Sequence, residues 1–335
     1  MIKEYIKKIS EFKDLSAEEC FEIVDYLAED SATPAQIGAF LTALKLKGET
    51  AEEIFGFAKR MRELAVQIDL QDEILVDSCG TGGDCTNSFN ISTASAVVAA
   101  SCGLKVSKHS NFSQTSLCGS SNVLQSLRIN LAKTSLEAVE ELQKNNITFL
   151  HAPYFHKSTA HVNPVRKELG IRTVFNYLGP LTNPTAPYGQ VVGVSSKDLC
   201  PKIVEALKYL GCKKSMVVCG ENPIIDEISI CGKTLVYKLE NNNIESFSIH
   251  PGDFEIKQAK IEDLAGGTPD ENAKIIKDIF SGKITGAKLD AVAINVAAIL
   301  WSGNFANSLE HGLKIAYEQI NKQKALSQLD LLIAK

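Results

Sequence analysis

The chain has 335 residues, 44% hydrophobic and 22% charged, which is enough apolar material for one large domain or two unequal ones. Its 35 basic and 40 acidic residues give a net charge of −5, so overall charge offers no reason to expect nucleic acid or an anionic membrane as a partner. The first residues alternate charged and apolar side chains too quickly for a signal-peptide core, and no apolar run reaches the roughly 18 residues of a membrane span. We therefore expect a cytoplasmic globular protein without a membrane segment.

Cysteine spacing gives no sign of disulfides or structural zinc. The nine cysteines are scattered, with no Cys-x-x-Cys pair and no matching histidine spacing. We expect most of them to behave as small buried hydrophobic residues in a reducing compartment. Cys79 and Cys85 flank a glycine-rich segment, which raises a catalytic thiol as an alternative. No histidine adjoins either one in sequence, so this alternative is the weaker one.

The first part of the chain has the pattern of short helices. Three capping patterns mark helix starts: Ser16 with Glu19, Thr33 before Pro34, and Thr50 with Glu53. The apolar residues between the last two starts follow a helical period, and they are Ile37, Phe40, Leu41 and Leu44. Gly48 is suited to end that helix. We expect a small all-helical domain over residues 1–67.

From residue 74 onward, short apolar runs alternate with amphipathic stretches. The predicted strands are residues 74–76, 104–106, 147–150, 191–194, 215–219 and 235–237. The predicted helices are residues 94–100, 272–279, 287–301 and 308–320. This alternation is typical of an α/β domain with a mostly parallel central sheet. We assign residues 68–335 to this large domain, and the lack of a Pro-rich linker predicts that the two units pack closely.

A glycine-rich segment, residues 77–84, follows the first predicted strand and leads to a helix that opens near Ser92 and Thr93. Glycines let backbone N–H groups approach an anion, and a helix N-terminus adds free donors and the positive end of its dipole. The segment lacks both the Gly-Lys-Ser/Thr of a P-loop and the third glycine of a dinucleotide loop. A phosphate site is the favoured interpretation, and a glycine turn without a ligand is the alternative.

Two further segments bring charge to the same predicted sheet. Lys108 and His109 come directly after the second predicted strand, at the carboxyl end where open α/β sheets bind ligands, and a polar loop over residues 110–116 follows. Asp226 and Glu227 are adjacent carboxylates in an apolar segment after the strand that ends at Cys219. In isolation such a pair is usually solvated. Beside a diphosphate it suits magnesium, which takes carboxylate and phosphate oxygens together.

In this order and spacing, the segments resemble the anthranilate phosphoribosyltransferase family over almost the whole chain. They are PAQI (34–37), KLKGET (45–50), GTGGD (80–84), NISTAS (90–95), Lys108-His109, PVRKELGIRT (164–173), GPLTNP (179–184) and Asp226-Glu227. The resemblance implies a small helical domain, with helices near 165–186 packing on it, and a large α/β domain of the nucleoside phosphorylase and phosphoribosyltransferase type. It also implies a homodimer formed through the helical domain.

The same resemblance implies transfer of 5-phosphoribosyl from phosphoribosyl pyrophosphate (PRPP) to the amine of anthranilate in tryptophan biosynthesis, with Mg²⁺ and release of pyrophosphate. The implied PRPP contacts are Gly80, Thr81, Gly83, Asp84, Ser88, Asn90, Ser92, Thr93, Lys108 and Ser120. Gly80, Asn111 and Arg166 face anthranilate, and Ser92, Asp226 and Glu227 carry magnesium. Catalysis is expected to be electrostatic, through Lys108 and the metal, with no certain acid, base or nucleophile. Without the resemblance, Arg166 has the pattern of a surface arginine.

The chain departs from the family pattern around the predicted acceptor site. Where the family has Lys-His-Gly-Asn-Arg, this chain has Ser110 in place of the glycine and Phe112 in place of the arginine. Leu117 and Cys118 replace a Lys-Ser pair, and residues 151–161 differ from the family's usual His-Pro-Ala-Met-Lys continuation. These changes keep two alternatives open: a related phosphoribosyltransferase or nucleoside phosphorylase with another aromatic or heterocyclic acceptor, and a non-catalytic binding protein on the same fold.

Overall fold

The computed structural model describes residues 2–68, 70, 74–112, 117–158 and 160–333. Part of the polar loop predicted over residues 110–116 therefore lies outside the described residues. Within the described ranges, no helix is both long enough and apolar enough to cross a membrane.

The N-terminal part contains four helices: α1 (Ile2–Ser10), α2 (Ala17–Ala28), α3 (Pro34–Lys47) and α4 (Ala51–Glu63). The three predicted helix starts are confirmed, because Ser16, Thr33 and Thr50 are N-caps whose side chains accept from the backbone N–H three residues later. Gly48 follows α3 at φ +84°, a conformation that favours glycine. Local signals alone thus predicted the starts of α2, α3 and α4 and the end of α3.

The sheet formed by the described residues has seven strands in the order β3-β2-β1-β4-β5-β6-β7. The strands are β1 (Leu75–Gly80), β2 (Lys105–Ser110), β3 (Ile147–His151), β4 (Gly189–Gly193), β5 (Lys214–Gly220), β6 (Thr234–Glu240) and β7 (Asn243–Ile249). The first five pair in parallel, whereas β5–β6 and β6–β7 are antiparallel. The predicted mostly parallel sheet is confirmed.

Two details of the sheet differ from the prediction. Lys108 and His109 lie inside β2 rather than after it, because β2 continues to Ser110 and pairs with β3 as far as His151. β7 was not predicted, since its side chains are mostly exposed and polar. Its signal was the Asn241-Asn242 turn, where both residues have positive φ, as in a tight hairpin.

Helices cover both faces of the sheet, and they are α5 (Ile91–Ser101), α6 (Ser120–Ser126), α7 (Ser135–Asn145), α8 (Ala152–Phe155), α9 (Val162–Leu169), α10 (Leu178–Leu181), α11 (Leu199–Tyr209), α12 (Pro269–Phe280), α13 (Ala287–Ser302), α14 (Leu309–Asn321) and α15 (Lys324–Leu332). Strand side chains alternate between two cores. Val191 and Val218 face the core built with α5 and α13, while Val192 and Val217 face the core built with α11 and the N-terminal helices.

The second of these cores joins the N-terminal helices to the α/β part. Ile37 and Phe40 of α3 share it with Val165 of α9 and Leu181 of α10, and α4 packs on α11. The close packing gives the small helical part a large share of its buried surface, since four short helices have little core of their own. The division at residues 67 and 68 stays a prediction.

Candidate active site

The carboxyl ends of β1 and β4 make room for Asp226. Gly80 ends β1 and is paired with Gly193, which ends β4. A Cβ atom on Gly80 would lie 2.2 Å from Oδ2 of Asp226, and one on Gly193 would lie 1.6 Å from the Asp226 carbonyl oxygen. Both distances are far below van der Waals contact, so the acidic segment can lie against the sheet only because both positions are glycine.

Backbone amides hold the two carboxylates in place. The N–H of Gly82 donates to Oδ2 of Asp226 over 2.7 Å, and the N–H of Ser92 donates to Oε1 of Glu227 over 3.1 Å. Behind them, the buried Asn295 of α13 accepts from the Ile228 N–H at 3.0 Å and donates to the Ile228 carbonyl at 3.1 Å. The acidic pair is thus tied to the glycine segment, to the start of α5 and to the core.

Burial and mutual repulsion raise the pKa values of both carboxylates, so each one loses its proton less readily when no cation is nearby. Burial raises the pKa of Asp226 to about 7, with a further contribution from Asp84. Burial also raises the pKa of Glu227 to about 8, and the Asp226 charge adds to it. Within the described ranges no group of three or more His, Cys, Asp or Glu side chains could hold a metal ion. The two adjacent carboxylates suit Mg²⁺, which keeps waters and takes phosphate oxygens beside one or two carboxylates.

Lys108 supplies the positive charge of this region. Its side chain is almost completely buried, and Nζ donates to the Ser78 carbonyl and to Oγ of Ser92, the latter over 3.4 Å. The strand position of Lys108 is held by Asp77, which accepts from the backbone N–H of His109 at 3.3 Å. Asp77 in turn accepts from Asn183 Nδ2 at 2.9 Å. Because these bonds hold the buried side chain of Lys108, its ammonium group has a fixed position next to Ser92.

The segment between the glycines and α5 is also ordered by its own polar groups. Asp84 accepts from the Thr86 hydroxyl at 2.8 Å, and the Ser88 N–H donates to Thr86 Oγ1 at 3.4 Å. Asn90 precedes α5 without capping it, since its amide donates to the Cys118 carbonyl at 3.2 Å. Thr93 has a buried Oγ1 without a partner in the described part of the chain. Because Asn90 does not cap α5, the first backbone N–H groups of this helix can donate to a ligand.

A cavity of about 250 Å³ opens beside the carboxylates. Six of the predicted site residues line it: Gly80, Thr81, Gly83, Asn111, Ser120 and Arg166. The remaining predicted residues do not line it, and they are Asp84, Ser88, Asn90, Ser92, Thr93, Lys108, Asp226 and Glu227. Gly82 also lines the cavity, and its 2.7 Å bond to Asp226 connects the residues that line the cavity with those that do not. The structure therefore assembles the predicted residues as a cavity and an adjoining charged cluster.

Arg166 does not have the surroundings of an ordinary surface arginine. Its guanidinium lies 5.4 Å from the centroid of Phe175, and both residues line the cavity. Burial lowers its pKa, and its described hydrogen bond goes to the neutral amide of Asn163, at 3.0 Å. No described Asp or Glu forms an ion pair with it. The cavity thus contains a cation suited to a carboxylate ligand.

Comparisons with known proteins identify the family. Residues 3–65 match the glycosyl transferase family, helical bundle domain, and residues 72–326 match the glycosyl transferase family, a/b domain. The chain is 46% identical over 330 residues to anthranilate phosphoribosyltransferase of Acetivibrio thermocellus, covering 98% of this chain and 95% of that protein. The chain belongs to the anthranilate phosphoribosyltransferase family. The resemblance stated from the motifs is confirmed.

Solved structures of the anthranilate phosphoribosyltransferase family have the same fold. The enzyme from Thermus thermophilus superposes with a TM-score of 0.92 at 35% identity, covering 98% of both chains. The enzyme from Saccharomyces cerevisiae, in complex with PRPP and Mg, superposes with a TM-score of 0.89 at 30% identity, covering 99% of this chain and 96% of that chain. The predicted combination of a helical part and an α/β part is therefore confirmed.

Arg172 lines the cavity but was not predicted as a site residue of this anthranilate phosphoribosyltransferase homologue. Its guanidinium donates to the carbonyls of Gly82, at 2.7 Å, and Thr81, at 3.3 Å. It occupies the space beside Gly83, where a Cβ atom would lie 1.3 Å from Nη1 and where φ is +79°. The available signal was its place in the matched segment 164–173. Its contact with the glycines, about ninety residues earlier in the chain, appears only in the fold.

The departures from the family pattern are accommodated without backbone strain. Ser110 ends β2, has no positive φ, and donates to the Leu150 carbonyl at 3.3 Å, so its backbone conformation does not require glycine. The Phe112 ring is 39% exposed, lines the cavity and lies 4.7 Å from the ring of His151. Leu117 is largely exposed, whereas Cys118 is buried. The family arginine is thus replaced by an aromatic part of the cavity wall.

The thiol alternative is not supported by the site. Burial raises the pKa of Cys79 to about 12, so this residue is a neutral thiol near pH 7. Cys85 is exposed, and its thiol donates weakly to the Gly83 carbonyl at 3.9 Å. All nine cysteines lie in the described residues, and none of them forms a disulfide there.

Proposed function

We propose that this protein is an anthranilate phosphoribosyltransferase, which transfers 5-phosphoribosyl from PRPP to the amine of anthranilate and releases pyrophosphate, a step of tryptophan biosynthesis. The observation that carries the proposal is the bond between the glycine segment and Asp226, which joins an acidic pair to a cavity containing Arg166, an arginine with no carboxylate partner among the described residues. One part suits a metal-bound diphosphate, and the other suits an aromatic carboxylate.

The residues proposed to hold Mg²⁺ are Asp226, Glu227 and Ser92. The raised pKa values of the two acids support this assignment, because a cation would offset the burial and the mutual repulsion that raise them. When bound, the metal would neutralise charge on the departing diphosphate. The relative from Saccharomyces cerevisiae whose structure contains PRPP and Mg supports the proposal that this protein uses Mg²⁺.

The chain's own groups are proposed to hold PRPP by its phosphates. Lys108 provides a fixed positive charge, while backbone amides of the glycine segment and hydroxyl and amide groups near the start of α5 donate hydrogen bonds. The proposed PRPP contacts are the ten residues expected from the resemblance, from Gly80 to Ser120. Arg172, which lies on the glycine carbonyls, keeps this segment in position.

Anthranilate is proposed to lie in the cavity near Gly80 and Asn111, with its carboxylate toward Arg166. An aromatic amine is already a nucleophile, so the site has to place it near the anomeric carbon and stabilise the leaving group. No strong general base is needed, and burial lowers the pKa of the nearby His109 to about 4, so its ring is neutral near pH 7. We propose direct displacement through an oxocarbenium-like transition state.

A second candidate is the same transfer to another aromatic or heterocyclic acceptor. Phe112 favours it, because an aromatic ring replaces a family cation in the cavity wall. This candidate predicts PRPP binding without turnover of anthranilate. Screening of other aromatic amines would then identify the acceptor.

We also propose that the protein is a cytoplasmic homodimer that associates through the helical part. The free cysteines are consistent with a reducing compartment. Phe12 and Leu46 of the helical part are 72% and 74% exposed, which is the kind of apolar surface that a subunit interface covers. Sedimentation velocity of the purified protein tests the proposal, and a monomer at micromolar concentration would refute it.

The activity is tested by the loss of anthranilate fluorescence in the presence of PRPP and Mg²⁺, with EDTA as the control. In an assay that supplies both PRPP and anthranilate, the double variant Asp226→Asn with Glu227→Gln should abolish metal-dependent turnover. The matched control is Glu29→Gln with Asp30→Asn, an exposed adjacent pair after α2 that removes the same charge. Turnover by the wild-type protein that needs no metal, or that survives the first double variant, would refute the site.

A further inference from the structure

His151 lies at the centre of a row of three rings beside the cavity. It ends β3, is only 3% exposed, and its ring lies 4.7 Å from Phe112 and 5.2 Å from Tyr154. Both contacts are edge-to-face, with interplanar angles of 74° and 70°. Phe112 is also part of the cavity wall. A buried imidazole therefore supports a residue that faces the proposed acceptor.

A chain of hydrogen bonds connects Ser110, Ser121 and His151. The Ser110 hydroxyl donates to the Leu150 carbonyl over 3.3 Å, and the Ser121 hydroxyl is placed to donate to Ser110 Oγ over 3.3 Å. Ser121 Oγ also lies 2.9 Å from Nδ1 of His151, and when its own proton is donated to Ser110 it accepts from this nitrogen. A chain of donors in this direction requires the ring to be protonated at Nδ1. Burial, with a smaller contribution from His109, lowers its pKa, so the ring is neutral near pH 7.

The two partners of His151 lie on either side of Asn111. The Ser121 N–H donates to the Asn111 carbonyl at 3.0 Å, and Phe112 follows Asn111 directly, with its N–H donating to Asn111 Oδ1 at 2.8 Å. The hydroxyl of Ser120 accepts from the Asn111 N–H at 3.1 Å. His151 touches no atom of Asn111 in these bonds. Its hydrogen bond and its ring nevertheless hold the residues that determine where the Asn111 side chain lies.

We propose that His151 is a positioning residue for the acceptor side of the cavity, holding Ser121 through Nδ1–H and Phe112 through its ring. The inference rests on the proposed function, since it assigns Asn111 and Phe112 to the acceptor. Most of the PRPP side is held by other groups, Lys108, Asp226 and Arg172, although Ser120, a proposed PRPP contact, is bonded to Asn111. Loss of His151 contacts should therefore affect the acceptor more than the donor.

Two variants separate the two contacts. His151→Phe keeps a ring against Phe112 but removes the donor to Ser121, whereas His151→Asn keeps a donor near the Nδ1 position but removes the ring. Each should raise KM for anthranilate about three- to tenfold, the range given by one buried hydrogen bond or aromatic contact, and leave kcat and KM for PRPP within about twofold. His311→Asn, an exposed histidine in α14, is the control and should change nothing.

A double-mutant cycle tests the hydrogen bond itself. Because Ser121→Ala and His151→Phe remove the same bond, the double variant should raise KM for anthranilate no further than the worse single variant. Additive effects would overturn the assigned chain. Equal increases in KM for both substrates, or unchanged KM for anthranilate with a lower melting temperature, would overturn the positioning role and leave His151 as a structural residue.

The proton position can be read without any turnover. In protein labelled with ¹⁵N in its six histidine rings, the resonance that disappears in His151→Phe should have the shift of a ring protonated at Nδ1. An Nε2–H tautomer would overturn the inference. If wild-type protein does not consume anthranilate, the proposed function fails and the acceptor role fails with it. If it does and the variants behave as wild type, only the inference about His151 fails.

Discussion

Gly80→Ala tests whether the glycine at the end of β1 is required to hold the two acids proposed to bind Mg²⁺, Asp226 and Glu227, in place. The added Cβ atom would lie 2.2 Å from Oδ2 of Asp226 and 2.9 Å from its Cγ. The carboxylate must retreat by roughly 1 Å to restore van der Waals contact. That movement lengthens its 2.7 Å bond from the Gly82 N–H beyond hydrogen-bonding distance.

The magnitude follows from the bond that is lost. A hydrogen bond to a charged group contributes about 1.5–3 kcal/mol, which corresponds to roughly ten- to 150-fold in an equilibrium constant. We expect the Mg²⁺ concentration for half-maximal rate to rise at least about tenfold in the anthranilate fluorescence assay. Gly80 has no positive φ, so alanine is compatible with the backbone and the variant should fold. Circular dichroism and thermal unfolding would verify that it does.

Gly179→Ala is the matched control for this experiment. Gly179 lines the same cavity, has no positive φ, and has open space where its Cβ atom would lie. The control should leave the Mg²⁺ requirement unchanged, whatever it does to KM for the acceptor. An unchanged Mg²⁺ requirement in Gly80→Ala would refute the reasoning, because Asp226 would then bind the metal equally well from a displaced position or would not bind it.

Two further predictions concern stability. Burial raises the pKa of Glu141 to about 7 although Thr148 donates to it, so the folded state binds this proton more tightly than the unfolded chain and stability falls as pH rises from 4.5 to about 7. Glu141→Gln should therefore stabilise the protein by on the order of 1 kcal/mol at pH 8 and very little at pH 4.5, and thermal unfolding showing equal gains at both pH values would contradict this. Lys47→Met leaves the fully buried Glu53 without its cation, which should cost about 3 kcal/mol in urea unfolding. Asp14→Asn removes the exposed partner of the same lysine and should cost less than about 1 kcal/mol, and equal losses would contradict the buried-pair argument.

Short-range signals predicted α2 to α4, α5, α12 to α14 and most strands. The Ser16, Thr33 and Thr50 caps depend on groups three residues apart, so the sequence alone contains their partners. The strands β4 and β5 are continuous apolar runs because both of their faces are covered, and they too were found. The end of β2 was not, because Lys108 and His109 are polar and only pairing with β3 makes them part of a buried strand.

The sequence predicted which residues belong to the candidate site, but it did not predict how they contact one another. Motif order identified Asp226, Glu227 and the glycines, since these residues are recognisable wherever they occur in the chain. Arg172 belongs to the quoted segment 164–173, but nothing local indicated its contact with Gly82 and Thr81, which belong to another segment.

The sequence by itself determined the helix starts, the parallel core of the sheet and the family, because caps, periodicity and motif order are properties of neighbouring residues. Only the tertiary structure decided that Gly80 and Gly193 make space for Asp226, and that His151 supports Phe112 and Ser121. These contacts join residues that lie far apart in the chain and meet at one edge of the sheet. Their chemistry depends on burial, which raises the pKa of each acid and lowers that of His151, and burial exists only in the folded protein.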